Sequence, residues 1–406
     1  MPNARERILF VDDEPMVLRG MHRILQPYAD RWDMVFAEGA KEALDHLAKG
    51  PFDAIVSDLR MPEMNGADLL NEVRLNHPRT IRIALSGYAD RNLMLQCVTA
   101  AHQHIAKPCN AEKLESVLVR LTELVKSKRD EPVRNLLTRC SVLPSVPEVY
   151  SELVSMLNNV AYTVEELGTV VARDPAMSTR VLALVNSSFY GLRGKIADPG
   201  EAVLFLGVDT MKSLVLGTHL FQPLPQRLPA GFSAPRLWAH SLRCAEAAHM
   251  IARSLGANQQ VAHETYIAGL MHDIGKLLLA ANLPEEYGEA IGIASRPAGT
   301  LTAAERERFG ADHAEVGGYY LGLLGLPVPI IDAITYHHNP AEALDKLSIP
   351  LIALHVGNVI AAGEPPVTAV PTSRLDREFI AARGLTDDLE IWRQTWLARS
   401  TRGPSS

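Results

Sequence analysis

Short apolar runs ending in polar residues recur through the first third of the chain. Ile8–Val11, Met34–Ala37, Ala54–Asp58, Ile81–Ser86 and His104–Ala106 are too short for helices and read as buried strands. Between them, Pro15–Gln26, Ala40–Ala48, Ala67–Asn76, Asn92–Ala101 and Ala111–Lys126 space their apolar positions as helices do, and Pro15 suits a first helical turn. This alternation predicts an α/β unit over residues 5–126, a doubly wound five-stranded parallel sheet with right-handed connections. The charged run Lys126–Pro132 reads as the end of a helix and the start of a linker over 127–135. The alternation then stops. Val149, Leu153, Met156 and Leu157 share one helical face, Asp174 is placed to cap and Pro175 to open a helix, and the pattern continues with Gly and Pro punctuation. Residues 136–362 therefore read as an all-α domain, followed by a C-terminal extension over 363–406. In that extension Gly363–Pro371 is a loop by composition, Leu375–Gly384 and Leu389–Arg399 read as amphipathic helices, and Trp392 and Trp396 serve packing.

Composition narrows the setting. A net charge of -7 argues against nucleic acid as the main partner, and no basic stripe or helix-turn-helix follows the first domain, so DNA binding is not expected. The four cysteines are scattered without a C-x-x-C pair, as free thiols in a reducing compartment are. The first residues carry no apolar core and no run reaches the length of a membrane span, so a cytoplasmic protein without membrane contact is expected.

The chemistry of the first domain lies at its strand ends. Asp12 and Asp13 follow the first strand, Asp58 ends the third, Ser86 the fourth, and Lys107 follows the fifth. Open α/β sheets bind ligands at these carboxyl ends, and such a pocket suits one hard cation and one phosphoryl group. Alone, Asp58 reads as a loop carboxylate; the matched set does not. The segment Asp58-Leu59-Arg60-Met61-Pro62-Glu63-Met64-Asn65-Gly66, with Asp12-Asp13, Ser86 and Lys107-Pro108, resembles the receiver domain of two-component response regulators. The resemblance implies phosphorylation of Asp58 by a sensor histidine kinase, and Mg²⁺ held by Asp12, Asp13, Asp58 and the backbone carbonyl of Arg60. It also implies a Ser86 hydroxyl that bonds the phosphoryl group, a Lys107 that pairs with it, and a strained or cis bond before Pro108. One departure is His104, where receivers usually carry Tyr or Phe; it bears on switching through the face formed by about residues 90–126.

The second domain offers histidines: His240, the pair His272-Asp273, His313 and the pair His337-His338, with Lys276 four residues after His272. Adjacent His and Asp inside an apolar helix are costly to bury unless paired or metal-bound, and the spacing puts His272 and Lys276 on one helical face. Singly, His240 or His313 reads as a satisfied core residue. His219, His249, His263 and His355 lack motif context and read as structural or surface residues. Leu143–Pro147, Arg173-Asp174-Pro175, Val185-Asn186-Ser187, His272–Lys276, Phe309–Gly317 and Leu326-Pro327 together resemble the HDOD domain, a relative of HD-superfamily phosphohydrolases. Positions like these hold two or three metals in HD hydrolases, and the mixed ligand set suits Fe, Mn or Zn. There, a metal-activated water attacks a phosphodiester, a role in which Lys276 would stabilise charge. Against hydrolysis, Asn358 stands where hydrolases carry Asp, and the Gly-Tyr-Pro signature of cyclic di-GMP phosphodiesterases is missing. Two outputs stay open: a signalling module that contacts an unknown output protein, or a metal-dependent phosphohydrolase acting on cyclic dinucleotides. In either, phosphorylation changes the receiver's contact with the HDOD domain or with a second copy in a homodimer.

Overall fold

The computed structural model describes residues 5–86, 93, 96–97, 100–107, 111–126, 131–140, 144–145, 152–153, 156, 162–186, 196–207, 211, 222–223, 227–296, 299–343, 348–362 and 375–400. The expected helix Asn92–Ala101, Pro108, His219, most of Leu143–Pro147 and the loop Gly363–Pro371 lie wholly or largely outside these residues.

The first domain is a parallel sheet of five strands: β1 (Glu6–Val11), β2 (Trp32–Ala37), β3 (Ala54–Asp58), β4 (Ile81–Ser86) and β5 (Gln103–Ala106), in the order β2-β1-β3-β4-β5. Ile8–Val11 and Ala54–Asp58 are buried on both faces, as parallel strands covered by helices must be. The covering helices are α1 (Pro15–Leu25), α2 (Ala40–Lys49), α3 (Gly66–Asn76) and α4 (Ala111–Lys126). Pro15 opens α1, and the Asn65 side chain caps α3 by accepting from the Asp68 N–H at 3.0 Å.

The chain continues through α5 (Glu131–Leu137), which has Pro132 in its first turn. Residues 131–135, expected as linker, are therefore helical, and α5 packs on the second domain. Next come α6 (Val164–Ala172), α7 (Pro175–Val185) and α8 (Pro199–Leu206). Asp174 caps α7, accepting from the Ala176 and Met177 N–H groups at 2.7 and 3.0 Å. The Asn186 side chain pairs with both main-chain groups of Ile196, at 2.6 and 2.8 Å, and so closes the chain between α7 and α8.

The rest is α9 (Ala234–Ser254), α10 (Gln259–Met271), α11 (Ile274–Asn282), α12 (Pro284–Ala294), α13 (Leu301–Phe309), α14 (His313–Leu323), α15 (Val328–Tyr336) and α16 (Ile349–Ile360). Helices α9, α10 and α16 pack together. Glycines permit it: a Cβ at Gly269 would lie 2.5 Å from the Ala245 Cα, and one at Gly357 2.9 Å from the Ala248 nitrogen. The chain closes with α17 (Arg377–Ala381) and α18 (Thr386–Ser400). Trp392 and Trp396 are buried, and the Trp392 indole N–H donates to the Ser254 hydroxyl at 2.7 Å. Both tryptophans thus serve packing, as their one-turn spacing implies. Within the second domain the described strand content is a two-residue parallel bridge, Pro144–Ser145 with Gln222–Pro223.

Gly66 fixes how the α3 turn meets the sheet. A Cβ there would lie 1.8 Å from the Asp58 carbonyl oxygen. Gly66→Ala is expected to destabilise the receiver by about 2 kcal/mol or more, through overpacking against main chain that cannot move aside. A denaturant midpoint equal to wild type would refute this.

Candidate functional site

The first pocket forms where β1, β3, β4 and β5 end. Asp12 and Asp58 are buried, and one carboxylate oxygen from each of Asp12, Asp13 and Asp58 lies within 4.8 Å of the others. The Lys107 ammonium reaches Asp12 at 2.7 Å and Asp58 at 2.6 Å. The Arg60 N–H donates to Asp58 at 3.1 Å, so that peptide borders the pocket. Burial pushes the Asp58 carboxyl up and Lys107 pulls it back, leaving it above its ordinary value. Burial would lower the Lys107 ammonium, but its bonds to Asp12 and Asp58 outweigh that and raise it. Among the described residues, the buried Ser86 hydroxyl has no hydrogen-bond partner. A buried donor without an acceptor beside a cluster of carboxylates fits a pocket that receives an oxygen-rich anion together with a cation. All five strand-end residues named from the sequence thus come together.

The second cluster is built at helix ends. The His272-Asp273 pair does not lie inside one helix: His272 follows the last turn of α10 and Asp273 precedes α11. The expected shared face of His272 and Lys276 is therefore replaced by a direct ion pair, Lys276 Nζ to Asp273 Oδ2 at 2.7 Å, with both side chains buried. His313 is the first residue of α14, and His337 follows the last turn of α15. The carbonyl ends of α10 and α15 thus both point their partial negative charge at the cluster, where a cation is favoured.

The imidazoles are oriented from behind. His272 Nδ1 donates to the Gly269 carbonyl and His337 Nδ1 to the Ile334 carbonyl, both at 2.7 Å. His313 Nδ1 donates to Glu305 at 2.6 Å, and Tyr287 donates to the other Glu305 oxygen at 2.9 Å. A carbonyl only accepts, so the Nε2 atoms of His272 and His337 carry lone pairs, and these turn inward. His272 Nε2 and His313 Nε2 each stand 3.3 Å from Asp273 Oδ1, and His338 Nε2 lies 2.9 Å from His313 Nε2. Among the described residues, Asp273 Oδ1 and His337 Nε2 are buried without hydrogen-bond partners. The inward lone pairs of His272 and His337 beside a buried carboxylate fit a bound cation, and a ring N–H held by a carbonyl or carboxylate is the usual support of a metal-ligating histidine. Two ligand groups converge, Asp273 with His313, His337 and His338, and Asp273 with His240 and His272, so Asp273 is common to both. Asn358 lies at the edge, its Oδ1 2.9 Å from His240 Nε2.

Charge is balanced inside the cluster. Burial would raise Asp273, but His272, Lys276 and His313 hold it well below the usual carboxylate range. Burial would lower His313, yet Glu305 and the facing Asp273 carboxylate carry it up to about 9. Burial pushes His240 down to about 3 and holds His337 and His338 well below their ordinary value. His355 is structural: its Nδ1 donates to the His337 carbonyl at 2.8 Å and its Nε2 accepts from the Asp376 N–H at 2.9 Å, tying the C-terminal extension to the cluster.

A parallel sheet with an acidic strand-end pocket, joined to a helical domain with a buried His/Asp cluster, defines a receiver-type domain followed by an HD-like one. The chain matches the family model of the response regulator receiver domain over residues 8–119 and that of the HDOD domain over residues 143–340. The chain thus carries a response regulator receiver domain followed by an HDOD domain. It is similar to an uncharacterized protein of Treponema pallidum, 22% identical over 254 residues, which make up 62% of this chain and 49% of that protein. It is also similar to the response regulator protein PilR of Pseudomonas aeruginosa, 29% identical over 136 residues, 33% of this chain and 30% of PilR. Among solved structures it is similar to the MmoQ response regulator from Methylococcus capsulatus, 27% identical, covering 63% of this chain and 98% of that one, with a TM-score of 0.47. The chain spans about half or less of the length of these two curated relatives. No helix among the described residues is long and apolar enough to cross a membrane.

His104 carries a pH consequence. It is buried in β5, and burial lowers its imidazole to about 4. The unfolded chain protonates this group near pH 6.5, so stability is complete above that pH and is lost as pH falls towards 4, by about 3 kcal/mol. His104→Phe is expected to flatten the loss of thermal stability across that window. Superimposable pH profiles for the two proteins would disprove it.

Proposed function

We propose that this response regulator is switched by phosphorylation of Asp58, with a sensor histidine kinase as donor, and signals through its HDOD domain as a protein-interaction module. The observation that supports the switch is the buried Ser86 hydroxyl, without a hydrogen-bond partner among the described residues, beside Lys107 and three carboxylates. In this reading an Asp58 oxygen attacks the phosphorus as its bond to the donor kinase's histidine breaks and that imidazole leaves, while Lys107 pairs with one phosphoryl oxygen and Ser86 donates to another. Mg²⁺, held by Asp12, Asp13 and Asp58 beside the Arg60 carbonyl, would offset the charge that builds on the group in transfer.

The HDOD domain is read as binding metal, with His240, His272, Asp273, His313, His337 and His338 as ligands, and Fe, Mn or Zn as the metals such a set suits. The orphaned Asp273 and His337 atoms support that reading. They also keep a phosphohydrolase reading in play. Two features favour the signalling module: Asn358 puts a neutral amide against His240, and Lys276 is committed to Asp273 rather than open to a substrate.

Acetyl phosphate with Mg²⁺ should label the wild type and leave Asp58→Asn unlabelled; equal labelling sinks the switch. Elemental mass spectrometry should find stoichiometric metal in the wild type and less than half as much in His272→Ala. Equal content in both would remove the metal reading. Hydrolysis of cyclic dinucleotides that disappears in His272→Ala would replace the signalling module with the phosphohydrolase.

A further inference from the structure

The helix that brings His313 into the cluster meets the receiver at its other end. The Gln103 side-chain amide on β5, 9% exposed, donates to the carbonyl of Leu323, the last residue of α14, at 2.6 Å. The last carbonyls of a helix have no partner within it, so the receiver supplies what α14 lacks. The chain then leaves the helix through Gly325 at φ 85°, with the Leu326 N–H bonded back to the Leu321 carbonyl at 3.2 Å. A Cβ at position 325 would stand 2.6 Å from the Gln103 amide nitrogen, so the close approach needs glycine there. Helices α4 and α5 pack on α14 as well.

At the cluster end α14 has little freedom. Asp312 and Glu315 cap each other across its first turn. A Cβ at Gly275 would lie 1.9 Å from the His313 carbonyl oxygen, and one at Gly317 would lie 3.1 Å from Ile274. Movement of α14 therefore moves His313 and bears on the segment that holds Asp273. A helix of 11 residues spans about 16 Å, and a packed helix shifts as a body. At the receiver end, β5 runs from Gln103 to Ala106, beside Ser86 in register, and leads directly into Lys107, whose ammonium rests on Asp58.

We propose that α14 is a rod that carries the state of the Asp58 pocket to the metal-binding cluster, with Gln103 gripping one end and His313 forming the other. The inference rests on the metal reading given above and adds its regulation.

The test loads full-length protein with Co²⁺, whose visible absorption reports its ligand geometry, with Mg²⁺ in excess for the receiver. Beryllofluoride then stands in for the phosphoryl group. In the wild type the Co²⁺ spectrum should shift, and the rate of Co²⁺ loss to a chelator should change about fivefold or more. Asp58→Asn should not respond. Gln103→Leu should bind the same amount of Co²⁺, take the same label from acetyl phosphate, and lose the response. Gln103→Glu, which keeps the side-chain shape but removes the donor, replaces it if the leucine variant does not fold. A full response in the Gln103 variant overturns the rod, as does a wild type that holds Co²⁺ and ignores beryllofluoride. A wild type that takes up no Co²⁺ at the histidine cluster overturns the metal reading, and the rod with it.

Discussion

A carboxylate shut away from water demands positive charge around it, and Asp273 imposes that demand on the helical domain. One oxygen is met by Lys276. The other faces His272 and His313, and His313 is in turn backed by the buried Glu305. Two buried acids are thus set against one lysine and one histidine that holds its proton to about pH 9. Leaving any of these charges unpaired would cost several kcal/mol. The break between α10 and α11, the glycine contacts beneath it and the convergence of α14 and α15 all serve to assemble this set around one side chain. A cation bound there would take the place of the proton that His313 otherwise brings inward.

The two domains solve the same problem differently. The receiver gathers its carboxylates at the carboxyl ends of parallel strands, which the topology brings side by side. The HDOD domain gathers its histidines at helix ends, where no sheet holds register and close backbone contact must fix position instead. Gly275 against His313 and Gly269 against Ala245 provide that contact. The cluster is consequently more deeply buried than the receiver pocket.

Much of this was legible in the sequence, because apolar runs and strand-end residues are local signals. β3 and β4 begin and end where their apolar runs do. β1 and β2 start earlier than the pattern indicates, since Glu6, Arg7, Trp32 and Asp33 join the ladder without an alternating signal. The histidine set stood out as motif residues. Glu305 did not: it lies in the run Glu305-Arg306-Glu307-Arg308, which reads as a solvated face, and only its spacing from Leu301 and Ala304 places it inward. Gln103 gave no signal, because its partner is 220 residues away. Nor does any Gly or Pro mark the helix break at His272-Asp273; the pairing of Asp273 with distant side chains imposes it.

The placement of the ligands has a thermodynamic side. His240, His272-Asp273, His313 and His337-His338 come from segments widely separated along the chain. A cation held among them would tie these segments together in the folded chain. Because only the folded chain presents the set, metal occupancy and folding would be linked equilibria, and each decade of free metal above the dissociation constant would add about 1.4 kcal/mol to stability. On the metal reading proposed above, the supply of metal would set how firmly the helical domain is folded, independently of the strand-end pocket of the first domain.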